Sequence, residues 1–143
     1  MSPTDTTSLL LRLSERDLGI LESLRAFRLL TTSQIRRLHF TESHASLGAA
    51  AGATMRVLTR LESHKLASRL TRRIGGVRAG SSGITWQLGP TGERLLRTMH
   101  GEEKRRRYIE PSGAFAAHTL EVAELAIAVH ELRDEGAVEL VSV

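Results

Sequence analysis

A glycine-rich, arginine-bearing turn lies between two strand-like segments near the middle of the chain, with helical patterns on both sides. The turn, residues 75–83, reads GGVRAGSSG, which is typical of a flexible hairpin tip. Residues 68–74 and 84–88 are predicted as its strands, and Ile84, Trp86 and Leu88 alternate toward one face. The sequence therefore predicts a mainly α fold with a small β-hairpin, an α+β arrangement.

Three helical segments precede the hairpin. Ser14 and Asp17 stand in capping-box positions at the start of the first, and Thr31 or Thr32 caps the second. The stretch 41–52 is rich in small residues and is either a long turn or includes an early start of the third helix. The predicted helices are 14–28, 32–40 and 53–64.

A further helix is predicted directly after the hairpin. It opens with Gly89 and Pro90, because proline at the first helical position loses no hydrogen bond, and it extends to Met99. Three helices, a hairpin and a closing helix are the element order of a winged helix-turn-helix, which we assign to residues 13–99. Residues 1–12 are expected to form a flexible N-terminus.

The C-terminal part of the chain has a different character. Residues 100–111 are predicted as a basic linker, and its run Lys104–Arg107 is either solvated or an extra phosphate-binding arm. Residues 112–143 are predicted as a long helix followed by a terminal strand. The helix is apolar over more than half its circumference, so we expect this segment to form a homodimer or to dock a further domain. The expected interface residues are Phe115, Leu120, Val122, Leu125, Ile127 and Val129.

Charge divides the chain into two parts. From residue 12 to 107 there are 19 Lys and Arg against 8 Asp and Glu, a balance of +11. From residue 108 to 143 there is 1 Arg against 7 acids, a balance of −6. A strongly basic segment predicts a polyanionic partner. With no signal-like start and no long apolar run, we expect a cytoplasmic protein without membrane contact.

The basic side chains lie on the elements that a DNA-binding fold presents to a duplex. A major groove about 12 Å wide admits one helix, and the third helix is the candidate to enter it. The start of the second helix offers free backbone N–H groups to a phosphate, and the hairpin could lie along the backbone. The candidate DNA-binding residues are Arg56, Thr59 and Arg60 of the third helix, Thr32, Ser33, Gln34, Arg36 and Arg37 of the second, and Arg72, Arg73 and Arg78 of the hairpin.

Signatures of catalysis are missing from the sequence. It contains no P-loop, dinucleotide fingerprint or Ser–His–Asp arrangement, and it has no cysteine to bind zinc. His118, Glu121 and Glu124 share a helical spacing, but they lack the pattern of two zinc ligands with a general base, so a structural role is expected. We expect no enzymatic activity, no cofactor, no metal and no small-molecule ligand. Two alternatives stay open: a protein-interaction module, and the DNA-targeting half of a nuclease-like protein.

Four segments carry a family resemblance. LTRLESHKLASRL at 58–70 resembles the recognition helix and first wing strand of MarR- and PadR-like regulators, and LGPTGERLL at 88–96 resembles the turn after their wing. The stretch 13–40 and HTLEVAEL at 118–125 resemble the actinobacterial replication-relaxation proteins. That resemblance implies a role in plasmid or mobile-element replication, relaxation or transfer, or in control of their genes. Members of this family usually continue into a nuclease-like part, so a short member or a fragment is expected.

Overall fold

The computed structural model describes residues 3–41, 46–71, 83–108 and 110–134. The described part is mainly α-helical with a small antiparallel sheet, which confirms the predicted fold class. No helix in these ranges is long and apolar enough to cross a bilayer. The elements are α1 (Pro3–Arg12), α2 (Glu15–Phe27), β1 (Leu30–Thr31), α3 (Thr32–His39), α4 (Leu47–Ser63), β2 (Ala67–Arg69), β3 (Thr85–Leu88), α5 (Pro90–Met99) and α6 (Gly113–Asp134).

Reciprocal side-chain caps start two of the helices; the Ser14–Asp17 pair was predicted, and Thr31 is the cap of α3 of the two threonines considered. At α2 the Asp17 amide donates to Ser14 Oγ at 3.1 Å, and the Ser14 amide donates to the Asp17 carboxylate at 3.0 Å. Thr31 and Gln34 form the same pair of bonds at the start of α3. Each box satisfies two N–H groups that have no partner inside the helix, so these boundaries are local properties of the sequence.

Two helices differ from the sequence-based expectation. The segment 3–12 was expected to be flexible, but it forms α1, and Leu9 and Leu10 pack against the main core. Helix α4 begins at Leu47 rather than near residue 53, because the Ser46 hydroxyl accepts from the Ala49 amide at 3.1 Å and caps the helix there. The small residues before residue 53 are therefore the first turns of α4.

The sheet has the strand order β1-β3-β2, with both pairs antiparallel. Leu30 pairs with Trp86, and Ala67 pairs with Leu88. Every residue of β3 is buried, including Thr85 and Gln87, which alternate with Trp86 and Leu88 along the strand. Helix α6 lies against β1, which explains why the sheet has little exposed face. Residues 72–82 of the predicted hairpin and the predicted terminal strand lie outside the described residues.

The core surrounds the single tryptophan of the chain. Trp86 is fully buried, and its indole Nε1 donates to Thr32 Oγ1 at 2.8 Å. Leucine and isoleucine side chains from α2, α3, α4 and α5 complete this cluster, Ile20, Ile35, Leu58 and Leu95 among them. A second, smaller cluster of Leu29, Leu70, Ala116 and Leu120 joins α6 to the ends of the short strands. These two clusters fix α6 on the winged-helix domain.

Two glycines allow α5 to start against the end of α4. The Leu66 carbonyl accepts from the Gly89 amide at 2.9 Å, and the Lys65 carbonyl accepts from the Thr91 amide at 3.0 Å. A Cβ atom on Gly89 would lie 2.3 Å from the Lys65 oxygen, and one on Gly92 would lie 2.2 Å from the Leu66 oxygen. The LGPTG sequence is thus required by a close backbone approach.

We predict that Gly92→Ala destabilises the protein by about 1–3 kcal/mol or more, because the added methyl group collides with backbone that cannot move freely. Gly48→Ala is the matched control: its nearest neighbour lies 3.8 Å away. Because alanine favours a helix, the control is expected to be stabilised by about 0.5–1 kcal/mol. Urea unfolding followed by Trp86 fluorescence measures both. Equal stability of the two variants would contradict this role of Gly92.

Candidate nucleic-acid interface

The outer face of α4 presents side chains that are open to a partner. Thr54, Leu58 and Leu61 are buried on its inner face. Arg56 and Thr59 lie on the opposite face and are exposed. Within the described residues Arg56 makes no ion pair, so its guanidinium keeps its donors available. Both residues were predicted for DNA contact, and the structure places them together.

Arg60, on the same helix, differs from Arg56 because it forms an ion pair within the chain. Its Nη2 donates to Asp17 Oδ1 at 2.7 Å, and the Asp17 side chain is only 3% exposed while that of Arg60 is 45% exposed. Burial alone would raise the pKa of Asp17, but hydrogen bonds from Arg60 and Ser14 outweigh it and lower the pKa. Arg60 therefore links α4 to the first turn of α2, and its predicted DNA contact stays a prediction.

Thr32 and Gln34, at the start of α3, are buried and hydrogen-bonded within the protein, which contradicts their predicted phosphate contacts. Thr32 is buried, its hydroxyl accepts from Trp86, and its amide donates to the Ile84 carbonyl at 2.9 Å. Gln34 is also buried, and its Nε2 donates to the Leu120 carbonyl at 3.2 Å. Both side chains form hydrogen bonds inside the core, because β3 and α6 pack against this end of α3.

Arg37 was also predicted to contact phosphate, but it joins α3 to α6. Its Nη1 donates to both oxygens of Glu124 at 2.6 and 2.7 Å, and its Nε donates to Glu131 at 3.2 Å. The hydrogen bond to Glu131 raises the pKa of Arg37, and the same bond lowers the pKa of Glu131. The Arg37 guanidinium thus binds two carboxylates of its own chain, and its predicted phosphate contact stays a prediction.

The other candidates of the helix-turn-helix and the hairpin divide into two groups. Ser33 and Arg36 are partly exposed on α3, and Arg36 has no ion pair in the described part of the chain. They stay candidates for phosphate contact at the edge of the interface. Arg72, Arg73 and Arg78 lie outside the described residues, so their contacts stay a prediction.

Helix α6 has two apolar faces, and the predicted interface residues are divided between them. Leu120 and Ile127 are buried on the inner face with Ala116 and Ala123. Their predicted role in oligomerisation is wrong, because they pack within their own chain. The outer face carries the exposed Phe115, Val122 and Leu125 and the partly exposed Val129.

The structure brings together one group of basic residues of which the sequence analysis had named only Arg105, within the run Lys104–Arg107. Lys65, Arg94, Arg97 and Arg105 line a cleft between α5 and the segment after it. The available signal was the spacing of Arg94 and Arg97 on the polar face of α5. Among the described residues there is no group of three or more His, Asp and Glu that could hold a metal ion.

We predict that Arg60→Ala costs about 1–2 kcal/mol of stability at neutral pH, allowing for solvent screening of the half-exposed guanidinium. The loss is full above the ordinary aspartate pKa of 3.8 and shrinks as the pH falls below it, because Asp17 becomes protonated. Urea unfolding as a function of pH measures it. Arg56→Ala is the matched control and should stay within about 0.5 kcal/mol of the unmodified chain. A pH-independent loss would contradict the Arg60–Asp17 pair.

Solved structures of MarR from E. coli are similar to this chain. The wild-type apo form shares 17% sequence identity over 91% of this chain and 82% of that chain, with a TM-score of 0.47. A cysteine-to-serine mutant complexed with operator DNA shares 18% identity over 87% of this chain and 76% of that chain, with a TM-score of 0.47. No curated protein matches the sequence.

The family assignment follows from the sequence profile of the replication-relaxation proteins. The profile matches residues 21–142, from the middle of α2 to the penultimate residue of the chain. The match includes the helix-turn-helix, the hairpin region and α6, and it confirms the resemblance found in the sequence. The chain therefore belongs to the replication-relaxation family.

Proposed function

We propose that this member of the replication-relaxation family binds double-stranded DNA as a homodimer and reads sequence with the outer face of α4. The observation that carries the proposal is the open pair Arg56 and Thr59. Both residues lie on α4, within residues 12–107, whose net charge is +11. Two other arginines of the helix-turn-helix, Arg37 and Arg60, are engaged by carboxylates of the same chain.

The dimensions of α4 suit a major groove. Its 17 residues span about 25 Å, and one helix fills a groove about 12 Å wide. An arginine fork can bind the acceptor pair of a guanine or grip a phosphate, while a threonine can contact a base edge or a thymine methyl group. Ser33 and Arg36 of α3 would contact the flanking backbone. The basic hairpin with Arg72, Arg73 and Arg78 would provide further phosphate contacts.

The proposed activity is binding rather than catalysis. The name of the family supports a role in replication and DNA relaxation. We propose that the protein serves replication, relaxation or transfer of a plasmid or mobile element, or control of its genes, through a preferred duplex site. A protein-interaction module would not need unpaired arginine on the outer face of α4, which favours the DNA-binding role.

The second apolar face of α6 supports the dimer. Its members follow each other at alternating intervals of three and four residues, which is the heptad spacing of a coiled-coil seam. The stripe consists of Phe115, His118, Val122, Leu125, Val129 and Leu132. Leu125 is 68% exposed, and the stripe lies opposite the face that packs on the domain. An identical stripe on a second copy is a self-complementary partner for it.

We predict that duplex binding falls steeply with salt, with a log–log slope of magnitude roughly 4–8 if about 5–9 phosphates are neutralised. Arg56→Ala should weaken binding to a preferred site, selected from random duplexes, by about 1–3 kcal/mol and relax the sequence preference. Fluorescence anisotropy measures both quantities. Arg133→Ala, on the acidic α6, removes the same charge and should leave affinity unchanged. A flat salt response, or equal loss in the two variants, would contradict the proposal.

We predict that Leu125→Glu converts a dimer into a monomer, because it places a charge in the centre of the apolar stripe. His130→Glu is the matched control, an exposed position of the same helix outside the stripe. Sedimentation velocity measures the oligomeric state, and Trp86 fluorescence checks that the domain stays folded. A monodisperse monomer for the unmodified chain at micromolar concentration would contradict the dimer.

A further inference from the structure

A basic cleft lies between α5 and the segment that follows it, next to the residues that follow α4. Its volume is about 330 Å³, and four of its seven lining residues are cationic: Lys65, Arg94, Arg97 and Arg105. Lys65, Arg94 and Arg105 are exposed and form no ion pair within the described residues. The cleft therefore presents unneutralised positive charge to solvent.

The lining of this cleft contains one carboxylate, that of Glu93, and it is hydrogen-bonded within the protein. The Glu93 side chain is 7% exposed, and its Oε1 accepts from the Arg106 amide at 3.0 Å. Arg97 Nε lies 3.7 Å from the same oxygen. Glu93 thus holds the segment around Arg106 against α5, and its negative charge mainly offsets the positive charge of Arg97. The positive charges of Arg94 and Arg105 therefore stay available to an anionic ligand.

The basic run after α5, which was predicted as a linker, is flanked by residues that contact α5 and α2. Gly101 has a φ of 64°, and the chain reverses there: the Gly101 amide donates to the Thr98 carbonyl and the Glu102 amide to the Arg97 carbonyl. Glu102 pairs with Arg25, and Tyr108 lies beneath the Arg28 guanidinium. These contacts hold residues 104–107 along α5 and α2.

We propose that this cleft is a second DNA-contacting surface, and that it binds the phosphodiester backbone of duplex flanking the stretch held by α4. The inference rests on the proposed DNA-binding function and extends its footprint. Arginine forks and a lysine suit phosphate oxygens. The first-turn amides of α5 are not available, because Thr91 and Gly92 donate to the Lys65 carbonyl. The side chains must therefore supply the contact.

Position in the chain supports flanking duplex as the occupant. Lys65 lies two residues after Ser63, where α4 ends, so the cleft begins at the C-terminal end of the helix that carries Arg56. A duplex that extends beyond the α4 contact at that end of the helix would come within reach of the cleft.

The test compares duplexes of two lengths with two charge-matched double variants. One variant is Arg94→Ala with Arg105→Ala, and its control is Arg12→Ala with Arg133→Ala, which removes the same charge from exposed positions elsewhere. Anisotropy titrations over a range of salt use duplexes of roughly one and roughly three helical turns. DNA is kept in excess, so that one protein molecule or dimer binds each duplex.

The unmodified chain should bind the longer duplex with a steeper salt slope than the shorter one. The cleft variant should lower the slope on the longer duplex by about 2 for each bound protomer, because each protomer loses two phosphate contacts, and it should leave binding of the shorter duplex unchanged. The control variant should match the unmodified chain. If the cleft and control variants behave alike while DNA is bound, the cleft is not a DNA contact, although the proposed function survives.

Two other results would also overturn the inference. If the unmodified chain binds neither duplex, the proposed function fails and the cleft assignment fails with it. If the cleft variant keeps its slope on the longer duplex but loses the ability to bridge two short duplexes, a second DNA molecule occupies the cleft and the flanking assignment is wrong.

Discussion

The hydrogen bond from Trp86 Nε1 to Thr32 Oγ1 connects the elements on which the rest of the structure depends. It joins the central strand β3 to the first turn of α3 in a core that has no other tryptophan. The Thr32 amide donates to the Ile84 carbonyl at the same place, so backbone and side chain fix one position. Because a buried indole N–H without a partner is costly, this contact holds α3 in one orientation against the sheet.

That orientation decides which arginines are available to a nucleic acid. With α3 fixed, its buried side meets α6, where Arg37 binds Glu124 and Glu131. Arg60 of α4 reaches Asp17 of α2. Carboxylates of the same chain therefore neutralise part of the positive charge of the helix-turn-helix, whereas Arg56 stays exposed on the outer face of α4. Charge in the sequence predicts a polyanionic partner, whereas the placement of carboxylates in the fold decides which arginines stay unpaired among the described residues.

The local features were predictable, and the long-range ones were not. Ser14 with Asp17, and Gly89 with Pro90, specify helix starts through neighbours within the same turn, so the sequence predicted them correctly. The roles of Thr32, Arg37 and Arg60 depend on partners that are 54, 94 and 43 residues away. Periodicity likewise showed that α6 is apolar on most of its surface, but only packing against α3 and β1 separates its covered face from its open one.

The identity of the DNA-contacting helix face is the central claim, and photo-cross-linking tests it most directly. The chain has no cysteine, so a single Thr59→Cys variant can carry a photoreactive label at one defined position. A His130→Cys variant carries the same label on the acidic α6 as a control. The account predicts that irradiation cross-links duplex DNA to the label at position 59 and not at position 130. Equal cross-linking at both positions, or at position 130 alone, would contradict it.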